Sequence, residues 1–153
     1  MQNERKVKTI LAVCSRIILG GVFVYAGYLK AVSPAEEFAY AIEGYKIVPV
    51  WAALWTALTL PWLELYLGLM FATGLFTRFC AAGIGALLLG FEVLLTQAWL
   101  RGLPVTSCGC FGANGSSSLA GEFAQNIALL VLAVLSFRHG AVFSLDSAVD
   151  RHG

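Results

Sequence analysis

Four long apolar runs separate short polar stretches in this chain, and each is long enough to cross a lipid bilayer as an α-helix. The runs cover about residues 9–29, 50–76, 80–100 and 120–137, and about 20 apolar residues span the hydrocarbon core. Apolar residues make up 59% of the 153-residue chain, whereas a soluble domain has roughly 45–50%. The sequence therefore predicts an all-α, four-helix transmembrane bundle that forms a single domain over residues 1–153.

The first apolar run has a second interpretation. A basic head followed by an apolar stretch also describes a signal peptide that is removed after export. This run is too long for such a peptide, and no clear small-x-small cleavage site ends it. We therefore predict that it is a permanent membrane span.

Residues 30–49, between the first and second runs, predict a short helix of a different kind. Pro34 suits the start of a helix. The residues that follow have spacings that can make one apolar face: Glu36, Glu37, Phe38, Tyr40, Ala41, Ile42 and Tyr45. Such a helix lies at the membrane surface as an amphipathic element. The alternative is a solvated helix that packs on the bundle.

Basic residues near the ends of the runs predict the orientation. The side that carries both termini has six of them, and the other side has three: Arg5, Lys6, Lys8, Arg78, Arg138 and Arg151 against Lys30, Lys46 and Arg101. Because cytoplasmic loops are enriched in Lys and Arg, both termini are predicted to be cytoplasmic. The loop between the last two runs then faces the periplasm of a bacterium. The net charge of +1 excludes nucleic-acid binding, which requires a dense basic face.

That loop carries the reactive chemistry of the chain. Cys108 and Cys110 are separated only by Gly109, and a disulfide across so small a ring is strained and more easily reduced than a structural one. Gly109 and Gly112 supply the backbone freedom that a tight turn needs. The spacing therefore favours thiol–disulfide exchange, which suits the oxidising periplasm. Two unpaired thiols at a helix end are the alternative.

Each apolar run also contains an ionisable residue. Arg16, Glu64, Glu92 and Glu122 occur one to a run, and each costs about 2.5–3.5 kcal/mol at the centre of a bilayer. The pattern predicts a polar centre inside the bundle that holds a ligand or moves protons. The alternative is that Arg16 pairs with Glu64 or Glu92 only to fix the register of the helices.

The last run begins with a polar face, and the remaining cysteines and histidines lie elsewhere. Glu122, Gln125 and Asn126 share a face at helical spacing, which predicts either a proton relay to the loop thiols or hydrogen bonds to the loop. Cys14 and Cys80 lie toward the cytoplasmic side, where small buried cysteines are usually inert. No metal site is predicted, because both histidines, at positions 139 and 152, are on the side away from the loop and a closed zinc site needs four ligands.

Several motifs occur between Arg16 and Gly112, a stretch of about two thirds of the chain. They are the run from Arg16 to Lys30, Pro34, Tyr45-Lys46-Ile47-Val48-Pro49, Leu60-Pro61-Trp62-Leu63-Glu64-Leu65-Tyr66-Leu67-Gly68, and Cys108-Gly109-Cys110-Phe111-Gly112. In combination they resemble the MauE branch of the DoxX-like membrane proteins. The pairing of Pro-Trp-Leu-Glu with Cys-Gly-Cys-Phe-Gly is more specific than either motif alone.

The resemblance implies a function as well as a fold. Members of that branch are four-helix inner-membrane proteins needed for the maturation of methylamine dehydrogenase, a disulfide-rich periplasmic enzyme, and they act beside a thioredoxin-like partner. By matching position, Cys108 and Cys110 would be the redox pair, and Arg16, Lys30 and Glu64 the polar signature. The wider DoxX group implies a quinone as the electron acceptor.

We therefore expect a multi-pass inner-membrane protein for periplasmic thiol–disulfide chemistry, that is, a membrane thiol–disulfide oxidoreductase. The loop pair exchanges with a thioredoxin-like protein that serves a disulfide-containing client, and electrons pass to or from a carrier near Glu64, Glu92 and Arg16. The predicted supporting residues are Lys30, Gly109, Phe111, Gly112 and Gln125.

Two functions from other classes are the alternatives. One is a transporter or metal-handling protein, in which the loop thiolates capture a soft ion that Cys14 and Cys80 receive inside. The other is a non-catalytic scaffold that anchors a periplasmic enzyme through the surface helix. The first requires Cys14 and Cys80, and the second requires no cysteine at all.

Overall fold

The computed structural model describes residues 2–103 and 119–139, and these two ranges are helical with short connections. The five helices are α1 Gln2–Val32, α2 Ala35–Glu43, α3 Val50–Thr73, α4 Thr77–Leu100 and α5 Leu119–His139. Four are long and apolar enough to cross a membrane, over Val13–Val32, Val50–Thr73, Thr77–Leu100 and Ala120–Arg138. The predicted all-α fold with four membrane spans and a short additional helix is confirmed.

The four long helices form a closed bundle. Helix α1 packs against α3 and α5, and α4 packs against α3 and α5. The end of α4 lies beside the start of α5, because the rings of Trp99 and Phe123 meet edge to face with their centroids 6.1 Å apart. The short helix α2 follows α1 at the same end of the bundle, which is termed the α2 end from here on.

Helix α2 packs on the first turns of α3. Its apolar side buries Phe38 and Ala39 against Ala53 and Ala57 of α3, while Tyr40 stays 70% exposed. Glu36 and Glu37 occupy its first turn, where carboxylates interact favourably with the positive end of the helix dipole. The predicted amphipathic helix therefore exists, and its apolar side faces another helix.

Small residues bring α1 and α3 into direct backbone contact. A Cβ atom on Gly20 would lie 2.8 Å from the Gly68 carbonyl oxygen, and one on Gly27 would lie 2.8 Å from the Pro61 carbonyl oxygen. Apolar side chains give no net hydrophobic gain between helices in lipid, so close packing of this kind is a main source of association there. Helix α3 continues through Pro61. This residue, which has no backbone N–H, lies at the contact with Gly27.

Several helix boundaries differ from the sequence prediction. Helix α3 ends at Thr73 and not near residue 76, because Gly74 adopts φ 82° and the N–H groups of Gly74 and Leu75 both donate to the Met70 carbonyl. This is the hydrogen-bond pattern that ends a helix at a left-handed glycine. Helix α4 consequently begins at Thr77 rather than at 80. Helix α1 begins at Gln2, since the polar head continues the helix beyond the apolar run.

Adjacent glycines in α1 offer a matched test of the backbone contact. Gly20→Ala places a methyl group against the Gly68 backbone and Ala72, whereas Gly21→Ala meets nothing within 4 Å. We expect Gly20→Ala to lower the free energy of unfolding by about 1–3 kcal/mol, as overpacking does, and Gly21→Ala to leave it unchanged or slightly higher. Thermal unfolding of both variants in the same detergent measures the difference. Equal stability of the two variants would show that the contact is looser than described.

Candidate functional site

A buried ion pair joins α1 to α3. The Lys30 ammonium lies 2.7 Å from each oxygen of the Glu64 carboxylate and donates hydrogen bonds to both. The two side chains are 1% and 2% exposed. Taking two charges out of water costs several kcal/mol for each ion, and only close pairing with good hydrogen bonds offsets that cost. The two short hydrogen bonds therefore provide the compensation that these buried charges need.

Two aromatic rings enclose the ammonium group. Lys30 Nζ lies 5.3 Å from the centroid of the Phe38 ring and 5.4 Å from that of Phe91, distances at which a cation is attracted to the face of a ring. Phe38 belongs to α2 and Phe91 to α4. The ion pair thus draws together four helices, and α2 covers it at the α2 end.

Further polar groups lie next to the ion pair. The Asn126 side chain of α5 is buried and interacts with Glu92 of α4. Within the described ranges, however, Asn126 Nδ2 and both Glu92 oxygens have no hydrogen-bond partner of acceptable geometry. A buried polar atom without such a partner costs about 1–3 kcal/mol. These atoms therefore mark a place where the interior has hydrogen-bonding capacity left over.

A small cavity lies between the ion pair and Asn126. Its volume is about 20 Å³, and apolar side chains of α1, α4 and α5 form most of its wall. Its polar lining consists of Lys30, Glu64 and Asn126. Of the residues predicted to form a polar centre, Glu64 lines this cavity and Glu92 lies beside Asn126.

Arg16 lies away from this centre. Its guanidinium packs against Gly74 at the C-terminus of α3, since a Cβ on Gly74 would be 2.8 Å from Arg16 Nη1. Ten residues separate Gly74 from Glu64, which is about 15 Å along a helix. The predicted alternative of an Arg16 pair with Glu64 is therefore wrong, and Lys30 is the partner. A cation at a helix C-terminus interacts favourably with the helix dipole, so Arg16 stabilises the end of α3.

The three polar residues at the start of α5 differ in their burial. Glu122 and Asn126 are buried, one helical turn apart, whereas Gln125 is exposed. Outside the spans, Tyr45 is 2% exposed, and its burial, followed by the negative charge of Glu122, raises its pKa from 10.0 to about 12. The connection between α2 and α3 therefore lies close to the first turn of α5.

The cysteine motif falls outside the described residues, which resume after it at Leu119. Cys108, Gly109, Cys110, Phe111 and Gly112 remain predictions from the sequence. The other two cysteines lie toward the opposite end of the bundle. Cys14 is exposed on the outside of α1, and the buried Cys80 donates to the Leu75 carbonyl at 3.5 Å.

The resemblance named Lys30 and Glu64 together, but the sequence reasoning did not predict that they pair. Lys30 stands two residues before the end of α1, where a lysine normally extends its side chain to the membrane surface. The available signal was that Lys30 and Glu64 are opposite charges in consecutive spans. The contributions of Phe38 and Phe91 had no signal of their own, because aromatic residues are common throughout the chain.

Comparison with known proteins identifies one family. A family model described as methylamine utilisation protein MauE matches residues 8–138. The match includes the ion pair, Asn126 and both cysteines of the loop. It does not extend to the wider DoxX-like group, which remains a prediction. No curated protein and no solved structure matches the chain significantly.

The ion pair predicts a large difference between single and double substitutions. Glu64→Gln leaves the Lys30 charge buried without its counter-ion and should lower the free energy of unfolding by about 3–5 kcal/mol. Lys30→Met combined with Glu64→Leu removes both charges and should recover most of that loss. Glu36→Gln, on the exposed part of α2, is the control and should change stability by less than about 0.5 kcal/mol. A double variant as unstable as the single one would contradict the assignment.

Tyr45 predicts a loss of stability at alkaline pH. Because its pKa is higher in the folded protein, the folded state keeps the phenol proton after the unfolded state has lost it. Stability is therefore fully present below pH 10 and falls as the pH rises from 10 to about 12.

Tyr45→Phe should not show this fall, and Tyr40→Phe, at an exposed position of α2, should show it as fully as the unmodified protein does. Thermal unfolding midpoints of the three proteins between pH 8 and pH 11.5 make the comparison. Parallel pH curves for the unmodified protein and Tyr45→Phe would refute the prediction.

Proposed function

The chain belongs to the MauE family of methylamine utilisation proteins, and from this membership we propose that it is a membrane protein for thiol–disulfide exchange during the maturation of a periplasmic enzyme. Cys108 and Cys110 are the exchanging pair. A thioredoxin-like protein is the partner, and a disulfide-containing protein of methylamine metabolism is the client. The protein lies in the bacterial inner membrane with both termini in the cytoplasm.

One structural observation supports the place of this chemistry. The chain leaves α4 after Trp99 and enters α5 before Phe123, and these two residues are in contact. The cysteine motif is inserted between them in the sequence. The residues on both sides of the insertion therefore lie at the α2 end of the bundle. Phe38 and Tyr45 are buried at this same end. With the proposed orientation, this end faces the periplasm.

The exchange itself is a two-electron reaction. A thiolate of the pair attacks a disulfide of the partner, a mixed disulfide forms, and the second thiol of the pair then displaces the partner's thiolate. The pair ends as a disulfide and the partner as a dithiol, so two electrons and two protons have moved to the partner. In the reverse direction, the disulfide of the pair oxidises the dithiol of the partner, and the pair ends as a dithiol. Low thiol pKa values favour attack, and the N-terminus of a helix lowers them.

A quinone is the electron carrier predicted from the resemblance, and the polar centre does not fit one. The cavity beside Lys30, Glu64 and Asn126 measures about 20 Å³, which is room for one small molecule of the size of water. A six-membered ring is far larger. We therefore assign no electron-transfer step to the ion pair, and the quinone remains a prediction from the resemblance.

Replacement of the loop cysteines tests the proposal. Cys108→Ser and Cys110→Ser should each abolish oxidation or reduction of the client in cells while insertion into the membrane stays normal, because either thiol alone cannot complete the exchange. In the unmodified protein, a membrane-impermeant thiol reagent should label the pair from outside after mild reduction and not before.

Matched variants at the other cysteines separate the alternatives. Cys14→Ser and Cys80→Ser should retain full activity. If they are as inactive as the loop variants, a thiolate transporter or metal-handling protein is favoured, and direct metal uptake would then be measured. Full activity of the double loop variant would favour a non-catalytic scaffold.

A further inference from the structure

The polar groups that line the central cavity have more hydrogen-bond donors than acceptors paired with them. An ammonium group carries three N–H donors, and the Glu64 oxygens accept from Lys30 Nζ in two hydrogen bonds. One N–H of Lys30 therefore remains beyond these two bonds. Asn126 is 5% exposed, and its Nδ2 group, although it lies near the Glu92 carboxylate, makes no hydrogen bond of acceptable geometry in the described part of the chain. Two donors from different helices thus line one cavity.

The same cavity also offers an acceptor. A carboxylate has about four lone-pair sites, and the two bonds from Lys30 use two of those on Glu64. A molecule that both accepts and donates hydrogen bonds would complete all three groups. Water has this property, and buried waters typically make about three hydrogen bonds to polar groups that lack other partners.

The size of the cavity points to the same molecule. A site needs roughly 10–15 Å³ to hold one water, and this one measures about 20 Å³. We propose that a single buried water binds here, accepting hydrogen bonds from Asn126 Nδ2 and Lys30 Nζ and donating one to the Glu64 carboxylate. This inference concerns the interior of the bundle and is independent of the redox chemistry proposed for the loop.

The water gives Asn126 a defined role. The direct contacts of the ion pair involve α1 and α3, together with the rings on α2 and α4. The water adds α5, so that each of the five described helices contributes a side chain to the surroundings of the ion pair. Asn126 then acts as a positioning residue that holds the water against the ion pair, and through its neighbour Glu92 it connects the network to the wall of α4.

Solid-state NMR of the full-length protein in lipid bilayers tests the proposal directly. With ¹⁵N-labelled lysine and asparagine, magnetisation transferred from water protons should reach Lys30 Nζ and Asn126 Nδ2, although both side chains are buried. Asn126→Leu keeps the approximate size of the side chain and removes its donor. In that variant the transfer from water to Lys30 should fall at least several-fold.

Two further variants keep the test decisive. Gln125→Leu changes an exposed neighbour on the same helix and should leave the transfer to Lys30 unchanged. Asn126→Ala enlarges the cavity beside a charged pair, so the transfer should persist or increase, and this variant serves if Asn126→Leu fails to fold. The proposal is overturned if the unmodified protein shows no transfer, if Asn126→Leu shows undiminished transfer, or if the contacting protons belong to lipid.

Discussion

The buried pair of Lys30 and Glu64 sets the main constraint on this structure. An ammonium group and a carboxylate inside a bilayer are tolerable only together, so α1 and α3 must meet in one register, with Lys30 opposite Glu64. The bidentate geometry, 2.7 Å to each oxygen, leaves little freedom to slide. Phe38 and Phe91 then have to pack over the ammonium, which also fixes α2 and α4. One electrostatic requirement thereby organises four elements.

Close contact between α1 and α3 makes this pair possible. Gly20 meets Gly68, and Gly27 meets Pro61 and Leu65, at backbone distances that no larger residue would permit. Lys30 is three residues beyond Gly27, and Glu64 three beyond Pro61, so both charged side chains leave their helices next to one of these close contacts. The small residues therefore also affect the ion pair, because the spacing of α1 and α3 sets how far the Lys30 side chain must extend to reach the Glu64 carboxylate.

The sequence predicts most of the fold and only part of the site. Apolar runs locate the four spans because lipid imposes the same requirement on every turn of a helix. The boundary at Gly74 was missed because a left-handed glycine interrupts the helix without interrupting the apolar pattern. At the site, Glu64 and Glu92 stood out as charges in apolar runs. Arg16, equally conspicuous, instead lies at the C-terminus of α3, because charge alone does not reveal depth or direction.

The start of α5 shows how the bundle supports the proposed chemistry of the loop before it. Phe123 packs on Trp99 of α4, Glu122 lies near Tyr45, and Asn126 faces the ion pair from the interior. Contacts on three sides thus fix the first two turns. A thiol pair that exchanges with a protein outside the bilayer needs a firm attachment at both ends. Here the attachment comes from side-chain packing around α5, while the ion pair holds together the helices on which α5 rests.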